Sequence, residues 1–187
     1  RGRPNNRLRA PFPRYITEVH TGYFLGLPPT LAFADRAADA RYAAISRERN
    51  LAHLYFDVGR DMSICGAGFV LVWVDRTGVR ACRCDPCECF VLRSGEAGAP
   101  VAAAVRLVAG SEGGTRGVLY TSERITPFVW DSGGVTFGAS EENLLRAIPL
   151  LPFYNNCQGC GDFEMVTGLV DSYNVLLSGA LDDMQSV

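Results

Sequence analysis

Apolar residues in the first third of the chain recur at helical spacing. In three stretches they fall every three or four positions, which places them on one face of a helix. Gly26 and the Pro28-Pro29 pair end the first stretch, and Gly66 ends the third. The predicted elements are helices over Phe12–Leu27, Ala37–Ile45 and, after a cap at Asn50, Leu51–Met62, with a short strand at Thr30–Phe33.

From Phe69 onward the pattern changes to short apolar and β-branched runs separated by Gly, Ser, Pro and Asp. Asp75-Arg76-Thr77-Gly78 is a turn signal between two such runs, which predicts a hairpin. Short strands with tight turns favour an antiparallel meander, and helices followed by strands indicate an α+β fold. The predicted strands are Phe69–Val74, Val79–Cys84, Cys87–Leu92, Val101–Val108, Gly117–Tyr120, Ile125–Trp130 and Val135–Phe137.

The last segment returns to helical spacing and predicts a long C-terminal helix over residues 162–187. Asp162 is the expected N-cap, and Glu164 suits the positive end of the helix. Apolar positions then alternate three and four residues apart, which is the spacing of a coiled-coil seam. We therefore expect this face to pack against other elements or against copies of the chain. The seam comprises Phe163, Val166, Val170, Tyr173, Leu177, Ala180, Met184 and Val187.

Composition narrows the class of protein. The chain has 187 residues, 48% of them apolar, and a net charge of −2, which suits one folded domain and argues against disorder. It has no apolar run long enough to cross a membrane. All 18 cationic residues are arginine, and five of them precede the first acid. Residues 161–187 hold five acids and no arginine, so the chain is basic at its front and acidic at its back. No stop signal follows Met184, which indicates a truncated helix.

Seven cysteines leave several chemical readings open. Cys84-x-x-Cys87 with Cys157-x-x-Cys160 would supply four thiolates to a zinc ion. If the predicted strands are right, however, Cys82 and Cys84 share one strand face, and Cys87 and Cys89 share a face of the next. Packed, reduced thiols are then the favoured interpretation. Cys157-x-x-Cys160 before a helix could also be a redox pair.

Other catalytic motifs are not apparent. The sequence has no nucleophile elbow, phosphate-binding loop, metalloprotease helix or dinucleotide fingerprint. The histidines, His20 and His53, lie in separate predicted helices. We therefore expect no enzymatic activity, no cofactor and no resident metal. One alternative remains: a zinc-binding, Cys-rich module that binds DNA through Arg1–Arg9, which opens with the minor-groove-like motif Arg1-Gly2-Arg3-Pro4.

Four segments, in order and spread over nearly the whole chain, carry a family pattern. The most specific is near the end: residues 148–156, then Gly161-Asp162-Phe163-Glu164, then residues 169–174 with 177–178. The others are residues 4–8 with 15–16 and 21–28, residues 64–69 with 72–75, and Asp85-Pro86. Together they resemble the portal proteins of long-tailed bacteriophages. The cysteines depart from that pattern, as does Leu181-Asp182-Asp183, where an Asn-Asp pair is expected.

The resemblance implies a structural subunit of the portal ring, which forms the channel for double-stranded DNA packaging and ejection at the capsid vertex. Residues 1–160 would be a wing-like α+β region and 161–187 the start of a stem-like helix, with the clip and crown absent from this chain. The implied partners are other copies in a ring of about twelve, double-stranded DNA as passing cargo, the terminase motor, the major capsid protein and a head–tail adaptor. The implied location is the virion, after assembly in the host cytoplasm.

The resemblance also assigns roles along the last helix. Acidic groups repel DNA phosphates and keep the duplex mobile, so the acids are expected to face the channel. The channel-facing candidates are Asp162, Glu164 and Asp171, and the oligomer-interface candidates are Phe163, Val166, Val170, Tyr173 and Leu177.

Overall fold

A computed structural model describes residues 5–95, 100–108 and 114–186. It shows an α+β fold with helices at the front, antiparallel sheets in the middle and a long helix at the end, which confirms the predicted class. The basic motif 1–4 and the last seam position, Val187, lie outside the described residues. No described helix is long and apolar enough to cross a membrane. The helices are α1 (Phe12–Leu25), α2 (Arg36–Glu48), α3 (Leu51–Cys65) and α4 (Thr167–Ser186).

The three front helices confirm the helical spacing in the sequence, with local corrections. The Asp35 carboxylate accepts a hydrogen bond from the Ala37 amide and caps α2. Asn50 precedes α3 as expected, but it adopts a left-handed backbone and its side chain makes no capping bond. Gly66 ends α3 at φ +76°, a conformation that glycine adopts without strain. Residues 30–33 form no strand, so that prediction was wrong.

The predicted hairpin belongs to a three-stranded sheet, ordered β2-β1-β9. Its turn is held by Asp75 Oδ1, which accepts from the Thr77 amide at 2.7 Å. The outer strand β9 was not predicted, because Pro149 and Pro152 argue against a strand in the local sequence. A proline is tolerated where its missing N–H faces an open edge, and among the described strands β9 pairs with β1 alone. The strands are β1 (Ala67–Asp75), β2 (Gly78–Cys84) and β9 (Leu150–Tyr154).

The second sheet is the predicted antiparallel meander, with the order β3-β4-β5-β6-β7 and a short β8 beside β6. A 3₁₀ turn at Pro86–Glu88 connects the two sheets, so Cys87 lies in this turn and not in a strand. The expectation that Cys87 and Cys89 share a strand face was therefore wrong. The strands are β3 (Cys89–Arg93), β4 (Val101–Val108), β5 (Thr115–Tyr120), β6 (Arg124–Asp131), β7 (Gly134–Phe137) and β8 (Glu141–Glu142).

The main core lies at the joint between the two sheets. Its buried members come from both sheets and bury their apolar surface against each other. A forked ion pair fastens α3 beside this joint: Arg83 on β2 donates to both oxygens of Asp61, at 2.5 and 2.7 Å, and Asp61 is only 5% exposed. The core cluster comprises Phe69, Cys84, Cys89, Ala104, Tyr120 and Leu150.

Candidate functional site

The base of α4 is fastened to the body through Asp162. Its amide donates to the Ser63 carbonyl at the end of α3, at 2.8 Å. Its Oδ1 accepts from Asn155 Nδ2 at 2.7 Å, and its Oδ2 lies 2.7 Å from His20 Nδ1 on α1. The Asp162 side chain is 18% exposed. Through its amide and its carboxylate, Asp162 thus connects α3, α1 and the residue after β9 to the segment that leads into α4.

This arrangement corrects the predicted start of the helix. Asp162 does not cap it, because its carboxylate is taken up by His20 and Asn155. A 3₁₀ turn over Glu164–Val166 comes first, and α4 begins at Thr167. Glu164 folds back so that its Oε2 accepts from the Gly161 amide at 3.1 Å, as the acidic residue does in a capping box.

Gly161 makes the close approach to α3 achievable. A Cβ at this position would lie 2.5 Å from the Ile64 carbonyl oxygen and 3.0 Å from that of Ser63. Only glycine lets the chain pass this close to the end of α3. The Asp162 contacts and the absence of a side chain at 161 therefore fix where α4 leaves the body.

An extended segment at the front of the chain, residues 6–10, lies antiparallel along one face of α4. We call it the N-terminal strap. Its alternate amides donate to helix side chains one turn apart: Ala10 N to Asn174 Oδ1 at 2.8 Å, Leu8 N to Ser178 Oγ at 3.0 Å, and Asn6 N to an Asp182 oxygen at 2.8 Å. Two residues of extended chain span about 6.6 Å and four residues of helix about 6 Å, so the two repeats match.

The strap decides which part of α4 stays open. At about 100° per residue, the acceptors Asn174, Ser178 and Asp182 form one stripe and Leu169 and Leu176 lie on the opposite side. Leu169 is 71% and Leu176 73% exposed. The open apolar face thus turns away from the strap.

The predicted seam lies between these two faces. Phe163 and Val170 are half-buried, and Val166 and Leu177 are just over one third exposed. Tyr173 packs edge-on against Phe12 of α1, with ring centroids 5.4 Å apart. The seam is neither enclosed by its own chain nor fully free. Met184, the last described seam position, is 76% exposed, and Leu169 and Leu176 widen the open apolar face beside the seam.

The three acidic candidates lie in different surroundings. Asp162 is internal, as described above. Glu164 is exposed and bonded to Gly161, and Asp171 is exposed on the strap side of α4. Asp171 lines a groove of about 750 Å³ between strap and helix, together with Arg7 and Arg9.

The outer face of α1 is a feature that sequence reasoning missed. Its buried positions are Thr17 and Thr21, and Ser63 Oγ on α3 bonds to Thr17 Oγ1 at 3.3 Å. The apolar stripe instead faces outward: Tyr23 is 94% exposed, and Tyr15 and Val19 are more than half exposed. Helical spacing predicted the stripe but not its direction, because the buried positions Thr17 and Thr21 are polar.

The cysteines do not assemble a metal centre. Cys84 is buried in the core, Cys87 is exposed in the 3₁₀ turn, and among the described residues no group of three or more His, Cys, Asp or Glu could hold a metal ion. The zinc interpretation is therefore unsupported. At the Cys157-x-x-Cys160 motif, burial and the neighbouring Glu164 raise the pKa of the Cys160 thiol, which is the opposite of what a redox nucleophile needs.

Comparison with known proteins supplies the family. The family model described as "Phage portal protein, SPP1 Gp6-like" matches residues 1–187, the whole chain. No curated protein matches the chain.

Proposed function

The chain belongs to the SPP1 Gp6-like family of phage portal proteins, and on that premise we propose that it is a structural, non-enzymatic subunit of the portal ring. The ring surrounds a channel for double-stranded DNA packaging and ejection at the capsid vertex. Residues 1–160 form the wing-like region, and residues from 161 onward begin the stem-like helix. The subunit acts in the virion after assembly in the host cytoplasm.

The open apolar face of α4 is the observation that carries this proposal. A ring repeats one heterologous contact around its axis, so each subunit must offer a surface that a neighbour covers. Leu169 and Leu176 are more than two-thirds exposed and lie together on the helix. Exposed apolar stripes of this kind mark interaction surfaces. The seam residues Val166, Tyr173 and Leu177 flank these leucines and extend the same contact.

The acids fit a channel lining, with one revision. Asp171 lies about 140° around the helix from the centre of the predicted seam. If neighbouring subunits cover the seam, Asp171 therefore points away from those subunits. No arginine follows Arg146 in the given sequence, so α4 itself offers DNA phosphates no cation, and the cations beside Asp171 are Arg7 and Arg9 of the strap. Because Asp162 is engaged inside the body, we assign the channel side to Glu164 and Asp171.

Further partners follow from the role of a portal. We propose contacts with a terminase motor that drives the DNA, with the major capsid protein around the vertex, and with a head–tail adaptor. The protein itself needs no cofactor for this passive role.

The test is ring formation by the full-length subunit, measured by native mass spectrometry. Leu169→Ser with Leu176→Ser removes two apolar contacts worth about 3 kcal/mol in each interface, more than a hundredfold in affinity, so smaller species should replace the ring. Leu144→Ser is the matched control, because Leu144 is 74% exposed but lies in the segment after β8. Unchanged rings in the double variant would contradict the assignment of this face.

A further inference from the structure

Three cysteines meet at the joint between the two sheets. Cys84 ends β2 and Cys89 begins β3, with the 3₁₀ turn between them. They are 4% and 7% exposed and belong to the same core cluster, against which Cys82 also packs. The turn therefore brings two thiols that are five positions apart into one buried group.

A positive charge lies beside these thiols. Arg106 on β4 is directly opposite Cys89 in the strand register. Its Nε is buried and has no hydrogen-bond partner. A buried N–H without an acceptor is costly, and an ionised sulfur nearby would supply that acceptor.

Cys84 has the properties of a thiolate nucleophile, and Cys89 those of a thiol that stays protonated. Donation from the Cys89 thiol, together with Arg106, lowers the pKa of Cys84 to about 6. The Cys84 sulfur and burial raise the pKa of Cys89. One ionised and one protonated thiol in contact is the arrangement from which a dithiol is oxidised stepwise.

Geometry selects Cys89 and not Cys82 as the partner of Cys84. Cys82 and Cys84 are two positions apart on one strand, so their Cα atoms are about 6.6 Å apart and their side chains run parallel. That places them at the upper limit for a disulfide, with poorly directed Cβ atoms. Cys84 and Cys89 approach each other from two strands across a turn.

The exposed Cys65 lacks this activation. Cys65, at the end of α3, interacts with Cys87 of the 3₁₀ turn. Burial, Cys87 and the negative charges of Asp61 and Asp85 raise the pKa of Cys65.

We propose that Cys84 and Cys89 are a thiol–disulfide redox pair that covalently closes the joint between the two sheets, with Arg106 as a positioning residue. The oxidant is a small disulfide such as glutathione disulfide. The Cys84 thiolate attacks one of its sulfurs and expels a glutathione thiolate, which leaves a mixed disulfide. The Cys89 sulfur loses its proton, attacks the Cys84 sulfur and expels the second glutathione. Two protein thiols and one glutathione disulfide thus become one protein disulfide and two glutathione thiols.

Mass spectrometry can read this bond directly. The chain is incubated with glutathione disulfide, free thiols are blocked with N-ethylmaleimide, and trypsin then cleaves after Arg83 and Arg93. The peptide of residues 84–93 carries Cys84, Cys87 and Cys89, while Cys82 leaves on a separate peptide. In Cys87→Ser we expect the unreduced peptide to be unblocked and about 2 Da lighter than its reduced form, since two hydrogens are lost. In Cys89→Ala this species should not form. A doubly blocked peptide in Cys87→Ser would overturn the proposal.

The rate of disulfide formation tests the positioning role of Arg106. Arg106→Gln should slow disulfide formation about tenfold at pH 7 and move the pH of half-maximal rate upward from about 6, because less Cys84 is ionised. Arg106→Lys keeps the charge and should restore most of the rate. Circular dichroism checks that each variant is folded. A folded Arg106→Gln variant that oxidises as fast as the natural chain would refute the role of Arg106.

Discussion

Replacing Asp182 by alanine should release one end of the N-terminal strap and leave the other end docked. Asp182 Oδ1 accepts from both the amide and the side-chain nitrogen of Asn6, at 2.8 and 2.6 Å. Ala10 is held separately by Asn174, two helical turns away. The strap is therefore a row of independent contacts, each with its own acceptor on α4.

The expected magnitude follows from these bonds. Hydrogen bonds to a charged acceptor contribute about 1.5–3 kcal/mol, and we take about 2 kcal/mol because the Asp182 site is only half-buried. Asn6 keeps its bond to Gln185, which prevents complete release. A loss of about 2 kcal/mol raises the exchange rate of the Asn6 amide about 30-fold. The neutral Asp182→Asn keeps an oxygen acceptor, so its effect should be about fivefold.

Amide hydrogen exchange measured by NMR resolves the two ends. In Asp182→Ala the Asn6 amide should exchange about 30-fold faster, and the Ala10 amide should change less than about threefold. Amides within α4 should not exchange faster, since alanine favours the helix more than aspartate does. Equal acceleration at Asn6 and Ala10, or no change at Asn6, would refute the view that the side-chain acceptors hold the strap one by one.

Two further predictions concern the body and the base of α4. Asp61→Ala leaves the Arg83 charge without its partner and should lower the free energy of unfolding by about 2–3 kcal/mol in urea titrations, discounted because Arg83 is 42% exposed. Glu18→Ala, in the exposed pair with Arg14, should change it little, and equal losses would contradict the importance of the buried carboxylate. Gly161→Ala should cost about 2 kcal/mol because its Cβ would meet a carbonyl oxygen of α3 at 2.5 Å, whereas Gly179→Ala, with open space around it, should stabilise α4 by about 0.5–1 kcal/mol. Thermal unfolding distinguishes these two, and a tolerated Gly161→Ala would contradict the close approach.

Sequence periodicity predicted the strands that pair with the next strand along the chain. The β1–β2 hairpin and the meander are of this kind, because each strand pairs with the next. Strand β9 was missed because its partner β1 lies about 80 residues earlier, and its prolines outweighed its apolar residues in the pattern. Long-range pairing leaves no local signal.

The candidate site was also predicted only in part. The spacing on α4 identified an apolar face that the structure leaves partly open, and the acids on its other side. The role of Asp162 could not be read locally, because its partners His20 and Asn155 come from distant elements. Nothing in residues 6–10 marked them as a strap, since backbone amides, not side chains, make its contacts along α4.

The orientation of α4 in an imaged ring of the full-length subunit tests the central claim most directly. Reconstruction by electron cryomicroscopy should show Leu169 and Leu176 covered by a neighbouring subunit and Asp171 directed toward the channel. A ring in which both leucines remain open to solvent, or in which Asp171 is buried between subunits, would contradict the account.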